Sequence, residues 1–233
     1  MKKSAKKQTF GERVLDFYNT LVFPRKLLLP GMEIIYPYAH PQTRGYAKEF
    51  YDKFYSDTQN RIFAFGINPG RFGSGTTGVP FTDPVALQEY CRIPNSLEKK
   101  RELTSGFVYE VINKLGGVQA FYGSFFLTAV CPVGFVRDNR NYNYYDDAGF
   151  LSRIRPFLVE TVKKQIDFGA NRRLAIVLGT GTNLKVFQGI NEEYGFFEKI
   201  HALEHPRFVL QYRRKDRSQY LRKYKKIFTL AIS

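Results

Sequence analysis

The sequence predicts one three-layer α/β/α domain, in which helices cover both faces of a central, mostly parallel sheet of four strands. Three observations lead to this prediction. The chain has 233 residues, enough to bury one sizeable core, and no internal repeat or linker-like stretch divides it. Short apolar runs alternate with longer amphipathic segments. The run RLAIVLG, Arg173 to Gly179, is almost continuously apolar, which is typical of a strand buried on both faces of a parallel sheet.

Helices and strands alternate along the chain. Aromatic side chains recur at helical spacing between Gln42 and Asp57, and the strand RIFAF follows them. Thr104 or Ser105 can cap the next helix, which two consecutive glycines end, and the apolar run FFLTAVCP is stopped by its proline. In chain order the predicted elements are a helix over 42–57, a strand over 61–65, a helix from 104 or 105 to 115, a strand over 125–132, an amphipathic helix over 147–168, a strand over 173–179, a short helix over 182–188, a strand over 200–203 and a basic helix over 216–230.

Four polar or glycine-rich segments leave the carboxyl ends of the predicted strands. They are the loop 66–81, CPVGF, GTGTN and EHPRF. In a parallel sheet these ends share one edge, and ligands bind in the crevice outside that edge. The sequence therefore predicts a functional site there.

The charge balance indicates an anionic partner. Lys and Arg number 36 and Asp and Glu number 21, which gives a formal net charge of +15 and a pI of about 9.7. This excess is expected of a protein that binds the phosphate backbone of a nucleic acid, although an anionic membrane surface or a purely colloidal role also selects it. No apolar run reaches the roughly 18 residues that a membrane span needs, so we expect no membrane partner.

The cysteines and the amino terminus indicate a reducing, intracellular compartment. Cys91 and Cys131 lie far apart without CxxC spacing, which excludes a disulfide framework, a four-cysteine zinc site and an iron–sulfur cluster held by this chain alone. MKKSAKKQTFGERV is basic, but no apolar h-region follows it. We therefore expect no secretory signal and interpret residues 1–10 as a flexible basic tail. We expect a cytoplasmic or nucleoid-associated monomer.

The loop GINPGRFGSGTTGVPF, Gly66 to Phe81, holds more glycines than a turn requires. Glycines let the backbone approach a ligand closely and leave N–H groups available as donors. The loop matches neither of the phosphate-binding patterns GxxxxGK[ST] and GxGxxG, and GTGTN lacks an adjacent lysine, which favours a simple strand-to-helix turn. The glycine loop therefore indicates a ligand site of another kind.

The same loop resembles the first motif of the single-strand-selective monofunctional uracil-DNA glycosylases, whose pattern is close to G-M-N-P-G-P-F-G-x-x-x-T-G-V-P-F. TGVPF, Thr77 to Phe81, repeats that pattern without a gap. His205, Pro206 and Arg207 stand where the family has a His-Pro loop, and TSGFVYEVI and FFLTAVCP resemble the helix and strand between the two motifs. The resemblance spans residues 61–207 and does not cover the first 60 residues or the tail after Phe208. Together with the absence of a domain boundary, it leads us to expect a single glycosylase-like domain over 1–233.

The resemblance implies roles for two catalytic residues and one stacking ring. Asn68 would orient the attacking water through its amide oxygen, unless it only caps its own Asn-Pro turn. His205 would donate a hydrogen bond to the departing base, whereas a lone histidine is usually structural. Phe81 would stack on the extruded base, unless it belongs to the core. The residues expected to contact the base are Gly66, Ile67, Gly70, Phe72, Phe81 and Ala129.

The resemblance also implies contacts with DNA. Arg207 and Phe208 follow the histidine and are candidates for a wedge that fills the gap left by the flipped nucleotide. The final helix is densely basic, which favours phosphate contact over the alternative of a solvated surface. The DNA-binding candidates are Arg207, Phe208, Arg213, Arg214, Lys215, Arg222, Lys223, Lys225 and Lys226.

One position departs from the family. Members carry an asparagine before the Leu-Cys-Pro of the middle strand, where its amide reads the uracil edge, and alignment with AVCP places Ala129 at that position here. Thr128 should point to the opposite face of the strand, so backbone groups, Asn139, Asn141 or water would have to read the base.

The sequence thus predicts a monofunctional uracil-DNA glycosylase of base excision repair that acts on DNA and leaves an abasic site. The resemblance implies neither a metal nor an organic cofactor. The motif offers no lysine for a Schiff base, and Arg71 stays protonated at neutral pH. The alternative is a nucleic-acid-binding module that keeps the pocket without efficient turnover.

Overall fold

The structure, a computed structural model, describes residues 7–232. The helices of this part of the chain are α1 (Phe10–Thr20), α2 (Pro41–Phe54), α3 (Ser74–Thr77), α4 (Pro84–Glu89), α5 (Leu103–Lys114), α6 (Gly117–Ser124), α7 (Ala148–Ile166), α8 (Thr182–Tyr194), α9 (Pro206–Tyr212) and α10 (Arg217–Ile232). Its strands are β1 (Met32–Ile35), β2 (Arg61–Gly66), β3 (Phe125–Ala129), β4 (Gly134–Arg137), β5 (Arg140–Tyr142), β6 (Ala170–Leu178) and β7 (Lys199–Leu203).

Four parallel strands form the central sheet, in the order β3-β2-β6-β7. The inner strand β2 is buried along its whole length, as expected of a parallel strand covered on both faces. Its last residue, Gly66, pairs with Ala129 at the end of β3, so the two strands stop at the same edge. Helices flank the sheet. The predicted fold class, with its four-stranded parallel sheet, is confirmed.

A second, antiparallel sheet of order β1-β4-β5 was not predicted. Its strands have only three or four residues, too few for a clear alternation of apolar and polar residues. The turn between β4 and β5 consists of Asp138 and Asn139, with φ angles of 50° and 56°. Two consecutive positive φ angles are typical of a two-residue hairpin turn, and the Asp-Asn dipeptide was the available signal.

The predicted amino-terminal tail is shorter than residues 1–10. Residues 1–6 lie outside the described part of the chain. Thr9 caps α1 by accepting a hydrogen bond from the Glu12 N–H, and Phe10 is 0% exposed. The Phe10 ring packs against Tyr55, Phe63 and Phe126. The prediction is therefore wrong at Thr9, which caps α1, and at Phe10, which belongs to the folded core.

Two predictions near the carboxyl end also need correction. The segment after His205 was predicted as a loop, but Pro206 begins α9 and His205 is its N-cap residue. Proline favours this first helical position because it lacks an N–H that would have no partner there. Arg213, Arg214 and Lys215, which were grouped with the basic residues of the final helix as DNA-binding candidates, precede α10, in the connection from α9. Among the described residues, no helix is long and apolar enough to cross a membrane.

Candidate active site

A cavity of about 260 Å³ opens where β2 and β3 end. The glycine loop, the segment after β3 and the start of α9 all contribute to its lining. The sequence-predicted residues that line it are Gly66, Ile67, Asn68, Gly70, Phe81, Ala129, His205, Arg207 and Phe208. The predicted residues outside the lining are Phe72, Arg213, Arg214, Lys215, Arg222, Lys223, Lys225 and Lys226. The site therefore lies at the sheet edge where the parallel topology predicts it.

Asn68 follows β2 and is held by the segment after β5. Its amide nitrogen donates to the Tyr142 carbonyl at 3.2 Å, and its amide oxygen accepts from the Tyr144 N–H at 3.2 Å. Tyr144 is itself anchored, because its hydroxyl donates to Asn183 Oδ1 at 2.8 Å. These contacts assign the orientation of the amide and leave the second lone pair of its oxygen for another donor. A local contact of the amide nitrogen with the Pro69 carbonyl at 3.4 Å accompanies these two long-range hydrogen bonds.

The Phe81 ring lies over the backbone of Gly66. A Cβ atom at Gly66 would come within 2.7 Å of this ring, so the close approach requires glycine. Phe81 has a φ of 55°, in the left-handed region that bulky residues rarely adopt. Its ring centroid is 5.9 Å from that of His205, with an interplanar angle of 40°. An aromatic face and an imidazole therefore border the cavity side by side.

His205 is a neutral hydrogen-bond donor in this site. Its Nδ1 accepts from the Arg207 N–H at 3.2 Å. Burial, and to a lesser degree the charge of Arg207, lowers the pKa of His205 to about 4. The ring is therefore neutral at neutral pH, and because Nδ1 accepts, the proton is on Nε2. Nε2–H is the group that a ligand in the cavity can meet.

The end of β3 borders the cavity without an amide side chain. Ala129 lines it, and its carbonyl accepts from Gln165 Nε2 at 3.2 Å. The Thr128 hydroxyl donates to Gln165 Oε1 on α7. Thr128 is also among the lining residues, and its hydroxyl is engaged by Gln165.

Two buried tyrosines that the sequence did not single out also line the cavity. Tyr18 on α1 is 5% exposed and Tyr38 is 3% exposed. Their rings are stacked, with centroids 4.5 Å apart. Burial raises the pKa of Tyr18 to about 12, partly offset by hydrogen bonding to Thr128, so the phenol stays protonated at neutral pH. The first 60 residues, outside the resembling motifs, thus supply the floor of the site.

Some predicted base contacts lie elsewhere. The Phe72 ring is 42% exposed, with the Lys100 amine 3.9 Å from its centroid, and does not line the cavity. Asn139 accepts a hydrogen bond from the Arg71 guanidinium in the β4–β5 turn, also outside the lining. Asn141 does line the cavity, and its amide oxygen accepts from the Arg71 N–H at 3.2 Å. Of the two asparagines considered for base recognition, only Asn141 lines the cavity.

The mouth of the cavity carries exposed rings and opposite charges. Phe208 is 41% exposed and Tyr212, one helical turn further along α9, is 70% exposed, with ring centroids 5.5 Å apart. Glu102, which precedes α5, lines the cavity together with Arg207. Neither Tyr212 nor Glu102 was predicted from the sequence. The four-residue spacing of Phe208 and Tyr212 was an available signal for Tyr212, whereas no sequence pattern marks Glu102.

The basic residues of α10 lie outside the cavity lining, on a helix that packs on α9 and α5. Lys223 is paired with Glu204, with Nζ 2.9 Å from Oε1. Among the described residues of α10 and of the connection that precedes it, the exposed cations without a carboxylate ion pair are Arg213, Arg214, Lys215, Arg222, Lys225 and Lys226. This end of the chain therefore carries a cluster of positive charge on its surface.

Comparison with known proteins gives one family and one similar structure. The sequence profile of the uracil DNA glycosylase superfamily matches residues 52–229, which include the glycine loop, β3 and α9. The crystal structure of wild-type SMUG2 from Pedobacter heparinus is similar to this chain, with a TM-score of 0.92 and 41% sequence identity over 97% of this chain and 100% of that chain. No curated protein matches the chain.

Proposed function

Since the chain belongs to the uracil DNA glycosylase superfamily, we propose that it is a monofunctional DNA glycosylase that excises uracil, or a related damaged base, from DNA. It flips the nucleotide out of the stack, hydrolyses the N-glycosidic bond and leaves an abasic site, which begins base excision repair. The observation that carries the proposal is the convergence of Asn68, Phe81 and His205 on one cavity at the sheet edge.

Each of these residues suits one part of the reaction. Cleavage builds positive charge on the deoxyribose and negative charge on the departing base. The Asn68 oxygen, with one lone pair held by Tyr144, is suited to accept a hydrogen bond from the attacking water. The Nε2–H of neutral His205 is suited to donate to an oxygen of the leaving anion. The face of Phe81 is suited to stack on the base.

The lining supports water, rather than an amine, as the nucleophile. A glycosylase that also cleaves the DNA strand forms a Schiff base between an amine and the sugar. The described residues that line the cavity include no lysine. This supports a monofunctional enzyme.

The proposed substrate indicates where in the cell the protein works. Uracil arises in DNA where the genome lies, so we propose a cytoplasmic or nucleoid-associated location. The residues of the proposed mechanism all come from one chain, and we propose that a monomer acts.

The proposal is tested with a uracil-containing oligonucleotide that is incubated with the protein and then treated with alkali. An abasic site breaks in alkali, so we expect strand breaks at uracil and none in the matched thymine oligonucleotide. Ala129 is the observation that favours the alternative, a binding module without turnover, because it supplies no amide for the base edge. A mobility shift without strand breaks would overturn the enzymatic proposal.

We expect Tyr18→Phe to lower the single-turnover rate of uracil excision about three- to tenfold, the contribution of one hydrogen bond. Because Ala129 offers no amide, the buried phenol at the cavity floor is suited to meet the base edge. The substitution keeps the ring that stacks on Tyr38. The rate is measured at equal folded concentration.

Tyr51→Phe is the matched control, because Tyr51 is buried in the same cluster of tyrosines but does not line the cavity. We expect its rate to equal that of the wild type. An equal loss in both variants would mean that Tyr18 acts through packing and not through contact with the base.

DNA affinity is expected to fall steeply with salt, and replacing Arg222, Lys225 and Lys226 by glutamine should weaken binding to any sequence. Each lost phosphate contact reduces the slope of log affinity against log salt by about 0.9. The control replaces three exposed cations of α7 and α8, Arg153, Lys163 and Lys185, and changes the net charge equally. Equal weakening of DNA binding in both triple variants would mean that the basic residues of α10 form a solvated surface and do not contact phosphates.

A further inference from the structure

Glu102 lies where a helix cap is expected, but it does not cap the helix. It directly precedes α5, and its side chain makes no hydrogen bond with the N–H groups of the first turn. Ser, Thr, Asp and Asn are the residues preferred at such a position. The Glu102 N–H donates to Asp83 Oδ2 at 2.8 Å, which fixes the backbone. The side chain lines the cavity instead.

The carboxyl group packs on the glycine loop. A Cβ atom at Gly73 would lie 2.0 Å from Glu102 Oε2, so in this structure the carboxyl occupies the space that a side chain at residue 73 would enter. A Cβ atom at Gly70 would lie 3.9 Å from Glu102 Oε1 and 3.3 Å from Asn141 Nδ2. The carboxyl is thus held against the same loop that carries Asn68.

No other carboxyl group occurs among the described residues that line the cavity. Burial raises the pKa of Glu102 from its ordinary value of 4.5; the charge of Asp83 acts in the same direction, whereas hydrogen bonding to Thr104 and the charge of Arg207 oppose it. A carboxylate with a raised pKa is a stronger base than one on the surface.

Hydrolysis needs a proton acceptor that neither Asn68 nor His205 supplies. The Asn68 amide is not a base near neutral pH. The His205 Nδ1 already accepts from the Arg207 N–H, and with a pKa of about 4 the ring is a weak base. The remaining titratable side chains of the lining are phenols and the guanidinium of Arg207, which act as hydrogen-bond donors rather than as bases. Glu102 is the group that remains.

We infer that Glu102 is a further catalytic residue, whose carboxylate accepts a proton from the attacking water and faces the cationic deoxyribose. The water oxygen bonds to C1′ while the bond from C1′ to the base nitrogen breaks, and that electron pair leaves with the base. The proton taken by Glu102 then passes to the anionic base or to solvent, which restores the carboxylate. This inference rests on the proposed function.

Glu102→Gln removes the charge and keeps the shape. We expect the single-turnover rate of uracil excision to fall about a hundredfold, a typical loss for one general base, while DNA affinity and melting temperature stay unchanged. The wild-type rate should fall as the pH drops through the raised pKa of Glu102, because a protonated carboxyl cannot accept a proton, and the variant should lack this fall. Glu204→Gln is the matched control, since Glu204 pairs with Lys223 outside the lining.

A second variant separates chemistry from support of the loop. Formate should restore part of the rate of Glu102→Ala, whereas neutral formamide should not. The inference would be overturned by a Glu102→Gln rate within a few-fold of wild type, by a lowered melting temperature that accounts for the loss, or by equal rescue with both additives. Wild-type protein that leaves uracil-containing DNA intact would overturn the proposed function itself, and this is seen before any variant is compared.

Discussion

Asn68→Ala is expected to lower the single-turnover rate of uracil excision by about 10² to 10³, the usual effect of removing one positioned polar group. The Asn68 oxygen is oriented by the Tyr144 N–H, and the amide nitrogen by the Tyr142 carbonyl, so the side chain holds its direction before substrate arrives. Alanine leaves the attacking water without this acceptor. DNA affinity should change little, because the residues proposed to contact phosphates lie elsewhere.

The control for this prediction must reproduce the two backbone hydrogen bonds that Asn68→Ala also removes. Asn191 makes the same pair, since its Nδ2 donates to the Phe197 carbonyl at 2.9 Å and its Oδ1 accepts from the Phe197 N–H at 2.7 Å. Asn191 does not line the cavity. Asn191→Ala should lower the melting temperature by a similar amount and leave the rate unchanged. A rate for Asn68→Ala within a few-fold of wild type would refute the water-orienting role.

The site residues that could be predicted lie in short, contiguous sequence motifs. The glycine loop and the His-Pro pair each place several chemical signals within a short stretch, and the parallel strand order brings both to one edge. Tyr18, Tyr38 and Glu102 reach the same cavity as single residues from separate elements. Their role depends on packing between segments far apart in sequence, which a local pattern does not encode.

The antiparallel sheet, which was not predicted, orients a side chain that was predicted to be catalytic. The segment that leaves β5 supplies Tyr142 and Tyr144, whose main chain orients Asn68. β5 has only three residues and is held by its hairpin to β4, which in turn pairs with β1. Sequence periodicity cannot detect strands of this length. The sequence therefore predicted Asn68 as a site residue but did not predict the strand that orients it.

The helical state of the second motif changes how His205 acts. A loop would leave the imidazole free to take either tautomer. As the N-cap of α9, His205 must accept the Arg207 N–H through Nδ1, and this places the proton on Nε2. Because this segment is a helix and not a loop, the ring nitrogen of His205 that carries the donor proton is defined.

His205→Asn is expected to lower the single-turnover rate of uracil excision by about 10² to 10³. Asparagine is a good N-cap residue, so it can keep the acceptor for the Arg207 N–H while it removes the Nε2–H that we propose stabilises the leaving anion. His201→Asn is the control, because His201 lies on β7 outside the cavity lining and its pKa is also lowered by burial. Its rate should equal that of the wild type.

Nuclear magnetic resonance of the imidazole nitrogens tests the same residue without any substitution. We expect the Nε2–H tautomer at neutral pH and a titration midpoint near 4, below the ordinary value of 6.5, because burial opposes the charged ring. Between these two values the unfolded chain binds a proton that the native ring does not, so stability should fall as the pH drops from 6.5 to about 4. A midpoint near 6.5, or a proton on Nδ1, would mean that Nε2 is not the donor to the leaving base, whatever the rate of the variant.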